Sequence, residues 1–308
     1  MGRFVKNVCF FLLIIATLGV ATELFVRHIP NSYRYKDNWI KENGSAVKTL
    51  VLGNSTIDNA LSPSLLDSAF TFANSDQLLE YDDFILDKYS KYCPNLKNVI
   101  LPLDYGNLFS EPYEERDGYQ WYRAIYYQVY LDYKKHPIIS KYNLEIANPL
   151  SARNKALQYI ESLLYNKDIA YYCDSLGRTT QGRYDWKKEI TDQDVARYAG
   201  GVVSKEYYEY NKGHVISIAK TCQEKGVRLI LTTCPKWCLC VNALNQERID
   251  SIRSFASQIT NTFDNCYYKS YLKDSCFIYK RSFFRDETHM SENGCYYFTK
   301  RLLEDFEL

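Results

Sequence analysis

The feature that most limits the fold is an alternation of short apolar segments with helix-like segments early in the chain. Three apolar segments are predicted as strands: 47–53 (VKTLVLG), 70–77 (FTFANSDQ) and 96–109 (LKNVILPLDYGNLF). The segments between them, 59–70 and 78–93, have helical character. Strands and helices that alternate with short loops are typical of a parallel sheet with right-handed crossovers. We therefore expect an α/β fold with a central parallel sheet.

The same alternation returns in the last third of the chain. Helices are predicted at 205–226, 245–260 and 291–306, with strands at 227–235 and 266–272. The intervening region, about 110–200, breaks the rhythm and carries aromatic helical segments at 121–135 and 148–165. We predict one three-layer α/β/α domain over 47–308, interrupted by a mainly helical insertion at about 110–200.

The N-terminus carries a long apolar stretch, Val5–Val26, with Arg3 and Lys6 in or before its first turns. About 20 apolar residues are enough to span a bilayer, whereas a core of 14 also suits a signal peptide. Gly19-Val20-Ala21 offers a small-residue cleavage site. Because the apolar pattern continues past that site, we favour an uncleaved transmembrane anchor at 1–26.

The charge pattern predicts how this anchor is oriented. Basic residues that precede a transmembrane helix usually stay in the cytoplasm. The C-terminal domain is then extracytoplasmic, on a single-pass membrane protein. Residues 27–46 are polar and are interpreted as a linker, with an outer helix as the alternative.

Composition excludes some partners and cofactors. The chain has 38 basic and 37 acidic residues, a net charge of +1, so nothing favours binding to nucleic acid. Cys234, Cys238 and Cys240 lie close together without a nearby histidine, which is a poor match to a zinc site. A local disulfide is one alternative for them, and simple burial is the favoured one. We expect neither a metal ion nor a cofactor.

Ser55 follows the first predicted strand, in LVLGNST, immediately before a helix. Ligands of open parallel sheets bind outside the carboxyl ends of the strands, which is where this hydroxyl lies. Ser55 is then either a helix N-cap or a nucleophile, and a nucleophilic serine needs a base. His289, in FRDETHMSENG after the last strand, has Asp286 three residues before it. That spacing lets the carboxylate orient the imidazole, so we predict a triad of Ser55, His289 and Asp286.

LGNS near the start of the domain and DETH near its end resemble the SGNH (GDSL-like) hydrolases, and in particular their membrane-anchored bacterial members that modify cell-surface polysaccharides. The resemblance covers roughly 47–110 and 205–305 and implies a flavodoxin-like sheet. It also implies an oxyanion hole formed by the backbone N–H groups of Ser55 and Asp76, where Asp76 replaces the usual glycine. The family's third block brings an asparagine, but PLDYGN (102–107) does not match it. Asn107 is the nearest substitute, with Asn54 and Asn74 as alternatives.

The resemblance implies a serine esterase or O-acyltransferase, here an O-acetyl enzyme, that acts on an envelope polysaccharide. Its expected partners are the membrane, through the N-terminal helix, and a glycan or acylated envelope polymer. The alternative is a non-catalytic protein of the same fold, which holds an acyl carrier or glycan for a membrane acyltransferase. The unmatched third block favours this alternative, and the set of Ser55, Asp286 and His289 favours the enzyme.

Overall fold

A parallel five-stranded sheet forms the centre of the fold. The computed structural model describes residues 2–116, 120–165, 173–179, 189–200 and 205–308. The strands are β1 Thr49–Val51, β2 Ala69–Thr71, β3 Asn98–Pro102, β4 Arg228–Thr233 and β5 Cys266–Ser270. Their order in the sheet is β2-β1-β3-β4-β5, and all neighbouring pairs are parallel. This doubly wound, flavodoxin-like order confirms the predicted α/β fold with a central parallel sheet.

Helices make up most of the remaining regular structure. Within the described residues they are α1 Gly2–His28, α2 Ser32–Asn43, α3 Ser55–Ala60, α4 Leu79–Tyr89, α5 Arg123–Leu131, α6 Pro149–Tyr165, α7 Asp192–Ala199, α8 Lys205–Glu224, α9 Cys238–Ala243, α10 Gln246–Thr262, α11 Ser275–Ile278 and α12 Glu292–Phe306. Helix α3 packs on α12, whereas α4 and α10 pack on α8. When helices cover both faces of a parallel sheet, the side chains on both faces of its strands are buried. All of β1 and all but the first residue of β4 are buried.

The chain forms two compact units. One, here called the anchor unit, comprises Met1–Asp37 and Tyr113–Tyr172; the other, here called the sheet unit, comprises Asn38–Pro112 and Cys173–Leu308. The predicted insertion at about 110–200 is helical in α5, α6 and α7, while its residues 117–119, 166–172 and 180–188 lie outside the described residues. The segment 27–46, interpreted as a linker, contains α2.

One edge of the sheet is covered by a short segment distant in sequence. The N–H of Thr71, in the edge strand β2, donates to the carbonyl of Leu176 at 3.0 Å. Gly177 follows with φ = +86°, and a Cβ there would lie 2.2 Å from the carbonyl oxygen of Thr71. Only glycine fits this approach, and the segment shields backbone groups that an open edge would expose.

The predicted helix at 59–70 is wrong in position. Helix α3 begins at Ser55 and ends at Ala60, and a 3-10 turn follows at Pro63–Leu65. The helix starts earlier than predicted because Asn54 caps its N-terminus. It stops after Ala60 because the next residue, Leu61, has an extended backbone. Pro63 has no N–H to continue a helix and instead begins the 3-10 turn.

The ten cysteines of the chain all lie within the described residues. Seven of them are buried: Cys93, Cys173, Cys222, Cys234, Cys240, Cys266 and Cys295. In the TCPKWCLC segment, Cys234 and Cys240 are buried and Cys238 is half-buried. Burial, rather than a local disulfide, is therefore the arrangement found in this segment.

Candidate active site

The turn that carries Ser55 connects β1 to α3. Gly53 has φ = +117°, and a Cβ there would lie 2.4 Å from the ring of Pro102 on the neighbouring strand β3. Position 53 can therefore be occupied only by glycine. Asn54 is the N-cap of α3, because its side-chain oxygen accepts from the N–H of Thr56 at 2.9 Å. The alternative role of Ser55 as the N-cap is wrong, and its hydroxyl is not used to start the helix.

The structure brings Ser55, His289 and Asp286 together. Ser55 Oγ lies 2.8 Å from His289 Nε2, across 234 residues of sequence. His289 Nδ1 lies 2.9 Å from each carboxylate oxygen of Asp286. Because an ionised carboxylate only accepts, Nδ1 carries the proton and Nε2 is left to accept from the serine hydroxyl. All three side chains are half-buried, so this arrangement is accessible to solvent.

Asp286 is held by backbone groups of its own loop. Its Oδ1 accepts from the N–H of Thr288 at 3.0 Å and of His289 at 2.7 Å. Burial raises the pKa of this carboxyl, but the hydrogen bond and charge of His289, with the two N–H groups, outweigh burial and hold the pKa well below its usual range. Asp286 is therefore ionised at neutral pH, as a group that orients a histidine should be.

The loop itself is closed at both ends. Phe284 and Met290 form an isolated antiparallel bridge, and the N–H of Arg285 donates to the carbonyl of His289 at 3.0 Å. Ser291 then caps α12, accepting from the N–H of Gly294. The Asp-x-x-His spacing thus lies in a tight turn between a bridge and a helix start.

A buried polar network holds the nucleophile turn from beneath. Asp82, on α4, accepts from the N–H of Gly53 at 2.7 Å and from the side chain of Gln77 at 2.5 Å. Gln77 in turn accepts from the side chain of Asn74, whose backbone N–H donates to the carbonyl of Gly53 at 3.1 Å. Both backbone groups of Gly53 are thus bound. The network also ties this turn to the 74–77 turn.

Burial dominates the titration of Asp82. It raises the pKa of this carboxyl to about 7, although the hydrogen bonds from Gln77 and Gly53 act in the opposite direction. A buried carboxyl that binds Gly53, two residues before Ser55, therefore changes charge near neutral pH. Nothing in the sequence pattern of α4 indicated this role.

Asp76 occupies the left-handed region, with φ = +59°. This conformation favours glycine and is tolerated by aspartate, which explains how Asp76 can stand where the resembled family has glycine. Asn74 is less available as a donor, because its side-chain amide already donates to the carbonyl of Phe72 and to Gln77. The position of Asp76 next to the bound Asn74 turn is compatible with a backbone donor there.

The Asn107 side chain closes the turn after β3. Its oxygen accepts from the N–H of Asp104 at 3.0 Å, and its amide donates to the carbonyl of Pro102 at 2.6 Å. These buried contacts do not support the assignment of Asn107 to the oxyanion hole. Asn54 is placed differently: its amide donates to Asp104 at 3.3 Å, next to the nucleophile.

Sequence reasoning missed the buried charges behind Asn54. Asp104 accepts from the N–H groups of Gly106 and Asn107, both at 2.8 Å. Lys236, three residues after the end of β4, is fully buried, and its Nζ lies 4.9 Å from the centre of the Tyr198 ring. Burial disfavours the ammonium, but Tyr198 and Asp104 outweigh it and raise the pKa of Lys236. A strand-end lysine in the sequence gives no signal of such burial.

Comparisons with known proteins add little at the level of sequence. No family model matches the chain, and no curated protein matches it. Among solved structures, it is similar to a candidate acylhydrolase from Bacteroides fragilis, with 9% identity and a TM-score of 0.41, over 87% of this chain and 93% of the other. It is also similar to a candidate platelet activating factor from Streptococcus pneumoniae, with 10% identity and a TM-score of 0.41, over 97% and 99%.

Proposed function

We propose that this protein is a membrane-anchored serine esterase or O-acyltransferase. The observation that carries the proposal is the contact of 2.8 Å between Ser55 Oγ and His289 Nε2, with Asp286 2.9 Å from the other ring nitrogen. A serine, a histidine and a carboxylate in this order are the parts that nucleophilic acyl transfer requires.

In the proposed reaction, Ser55 Oγ attacks the carbonyl carbon of an ester while its proton moves to His289 Nε2. The carbonyl oxygen becomes an oxyanion in a tetrahedral intermediate, and Asp286 stabilises the imidazolium. His289 then gives its proton to the leaving alcohol oxygen, the ester C–O bond breaks, and the acyl group stays on Ser55. Water or a second hydroxyl attacks this acyl-enzyme, losing its proton to His289, and Ser55 is released.

Backbone N–H groups are the proposed oxyanion donors. Ser55 is the first residue of α3, where an N–H has no acceptor within the helix. Asp76 supplies the second N–H from its left-handed turn. Such donors are already oriented before the reaction, and each is worth roughly 3 kcal/mol in the transition state.

The proposed location is the outer side of a bacterial membrane, and the proposed substrate is an acylated envelope polysaccharide. Helix α1 supports the anchor, since it is 27 residues long with a mean hydropathy of 2.3 over its most apolar window. An N-terminal signal sequence would have the same properties. The half-buried, accessible Ser55 supports an acyl group presented on a large polymer.

The proposed enzymatic activity can be tested by labelling the full chain, in detergent, with a serine-directed phosphonate probe. We expect labelling of the wild type and its loss in Ser55→Ala and in His289→Ala. Ser275→Ala is the matched serine control, because Ser275 is also the first residue of a short helix, α11. His214→Ala is the matched histidine control, because His214 forms a 2.9 Å pair with Asp83 that lies outside the triad. Labelling that survives His289→Ala would refute the triad.

One observation favours the second candidate, a non-catalytic protein that holds a glycan or an acyl carrier for a membrane acyltransferase. The Asn107 amide is committed to its turn, so the third-block donor of the resembled family has no direct equivalent. The non-catalytic binding role would be supported if the folded wild-type chain is not labelled by the phosphonate probe but binds an acetylated envelope polysaccharide in a pull-down assay.

A further inference from the structure

Helix α1 has a defined exit point if it spans a bilayer. At 1.5 Å per residue, a hydrocarbon core of about 30 Å is crossed by about 20 residues. Counted from Phe4, the crossing ends at Glu23, the first acidic residue of the chain. Glu23 and Arg27 form an ion pair of 2.5 Å one turn apart. These charges mark the level at which α1 leaves the membrane.

The anchor unit is fastened to α1 at this level. The Glu23 carboxylate accepts from the N–H of Glu145 at 3.1 Å and of Ile146 at 3.0 Å, and Arg27 donates to the carbonyl of Asn143. Between Glu23 and Arg27 on the same helix, the Phe25 ring lies 6.3 Å from the ring of Tyr159. The contacts reach from Asn143 to Tyr159 in the insertion but only from Glu23 to Arg27 in α1, so this end of α1 is bound both by the turn before α6 and by α6 itself.

Helix α6 has two different sides. Ser151 and Lys155 face α5, where they contact Tyr126 at 3.0 Å and Tyr130 at 2.8 Å. On the opposite side, spaced by seven, three and four residues, lies a row of exposed apolar side chains: Leu150, Leu157, Ile160 and Leu164. At 100° per residue these four fall within one narrow stripe of the helix surface. We call this row the α6 stripe.

Further apolar side chains are exposed in the same unit. Ile138 and Ile139 are 90% and 97% exposed, in the segment that leads to the Asn143 contact with Arg27. Next to them, Lys141 lies 4.2 Å from the centre of the Trp121 ring, which packs edge-on against Tyr142. Tryptophan, tyrosine and lysine together are typical of the level of lipid headgroups.

We propose that the anchor unit docks on the lipid bilayer through the α6 stripe and the Ile138–Ile139 tip, so that α6 lies in the membrane interface beside α1. This surface is continuous with the helix that spans the membrane, which is why lipid rather than a second protein is the proposed occupant. An amphipathic helix with one apolar stripe, in contact with a transmembrane helix near its exit, is suited to that position. The proposal rests on the anchoring role of α1 but not on the catalytic role of Ser55.

The test uses the full chain in phosphatidylcholine–phosphatidylglycerol vesicles with brominated acyl chains, which quench tryptophan within the bilayer. Leu157→Trp places a probe in the α6 stripe, and Gln158→Trp is the matched control on the adjacent polar side of α6. Both positions are exposed, so neither change should disturb folding. After subtraction of the four native tryptophans, we expect loss of about half the added fluorescence at 157 and little loss at 158.

The same vesicles, washed in alkaline carbonate, report on α1 separately. Retention of the protein with weak and equal quenching at both positions would overturn lipid docking and leave the anchor in place. Shielding of Leu157→Trp from bromolipid and from aqueous acrylamide alike would show that a second protein copy covers the stripe, which also overturns the proposal. Release by carbonate would overturn the anchor and the docking together, with phosphonate labelling of Ser55 unaffected.

Discussion

The two halves of the candidate site are built in different ways. The turn that carries Ser55 is held by side chains from elsewhere, because Gly53 is bound by Asp82 from α4 and packs against Pro102 from β3. In the loop that carries His289, the Asp286 carboxylate is held locally, since it accepts from the backbone N–H groups of Thr288 and His289. The nucleophile therefore depends on the core of the sheet unit, and the base depends on a local turn.

This difference predicts two modes of failure. A change at Asp286 should abolish or slow the labelling of Ser55 and leave the fold stable, because the contacts of Asp286 are local and half-exposed. A change in the turn should cost stability first, because its contacts are buried and shared with two other elements. The predictions below test that separation, from the largest expected effect to the smallest.

Asp286→Asn should lower the rate of phosphonate labelling by about 10⁴-fold, because an amide favours the wrong tautomer of His289. The asparagine oxygen can still accept from Thr288 and His289, so we expect little change in Tm. Asp274→Asn is the control, since Asp274 caps α11 by the same kind of side-chain contact away from the site. A large fall in Tm for Asp286→Asn alone would mean that the loop is as structural as the turn.

Gly53→Ala should destabilise the fold by about 3–5 kcal/mol, because its φ of +117° and the 2.4 Å approach of Pro102 both exclude a Cβ. Gly213→Ala is the matched control, with open space around the Cβ position in the middle of α8. It should stabilise by about 0.5–1 kcal/mol. Chemical denaturation of both variants measures this, and equal effects would contradict the constraint at the turn.

Asp82 should make stability fall with rising pH. Its pKa is raised from 3.8 to about 7 in the folded state, so the folded protein holds this proton more tightly than the unfolded chain. The contribution is complete below about pH 4 and is lost as pH rises through 7, on the order of 4 kcal/mol. Asp82→Asn should flatten this slope in denaturation curves between pH 5 and 8. Asp87→Asn, which changes an exposed carboxylate on the same helix, serves as the control, and an unchanged slope in Asp82→Asn would refute the assignment.

Asn54→Ala should cost about 1 kcal/mol, the usual effect of losing an N-cap. Asn245→Ala, which removes the cap of α10, is the control and should cost a similar amount. The labelling rate sharpens the comparison. A fall of about 100-fold or more in Asn54→Ala alone would assign its amide to the oxyanion hole, and equal rates would limit Asn54 to capping.

The sequence was sufficient for those parts of the site that local patterns determine. The parallel sheet followed from alternating strands and helices, and the meeting of Ser55 with His289 followed from their places at the carboxyl ends of strands. The Asp286 spacing could be read because three residues is the span of the turn that holds it.

The parts that failed depend on contacts between distant residues. Helix α3 was placed too late because the segment 59–70 has helical character in the sequence, whereas the side-chain cap of Asn54 starts the helix at Ser55. Asp82 and Lys236 were missed because charged residues are usually exposed, and burial of a charge depends on partners from other elements. Asn107 was considered as a donor because its position, but not its turn contacts, could be read from sequence.

The seven buried thiols have a consequence for how the protein must be made. Burial raises the pKa of Cys93 and Cys240 to about 11, so only about one thiol in 10⁴ is reactive thiolate at pH 7. Folding thus keeps these buried thiols far less reactive toward oxidants than exposed ones. The unfolded chain has no such protection, and mispaired crosslinks would trap it before it could refold. During biogenesis, the chain must therefore fold and bury these thiols before they are oxidised.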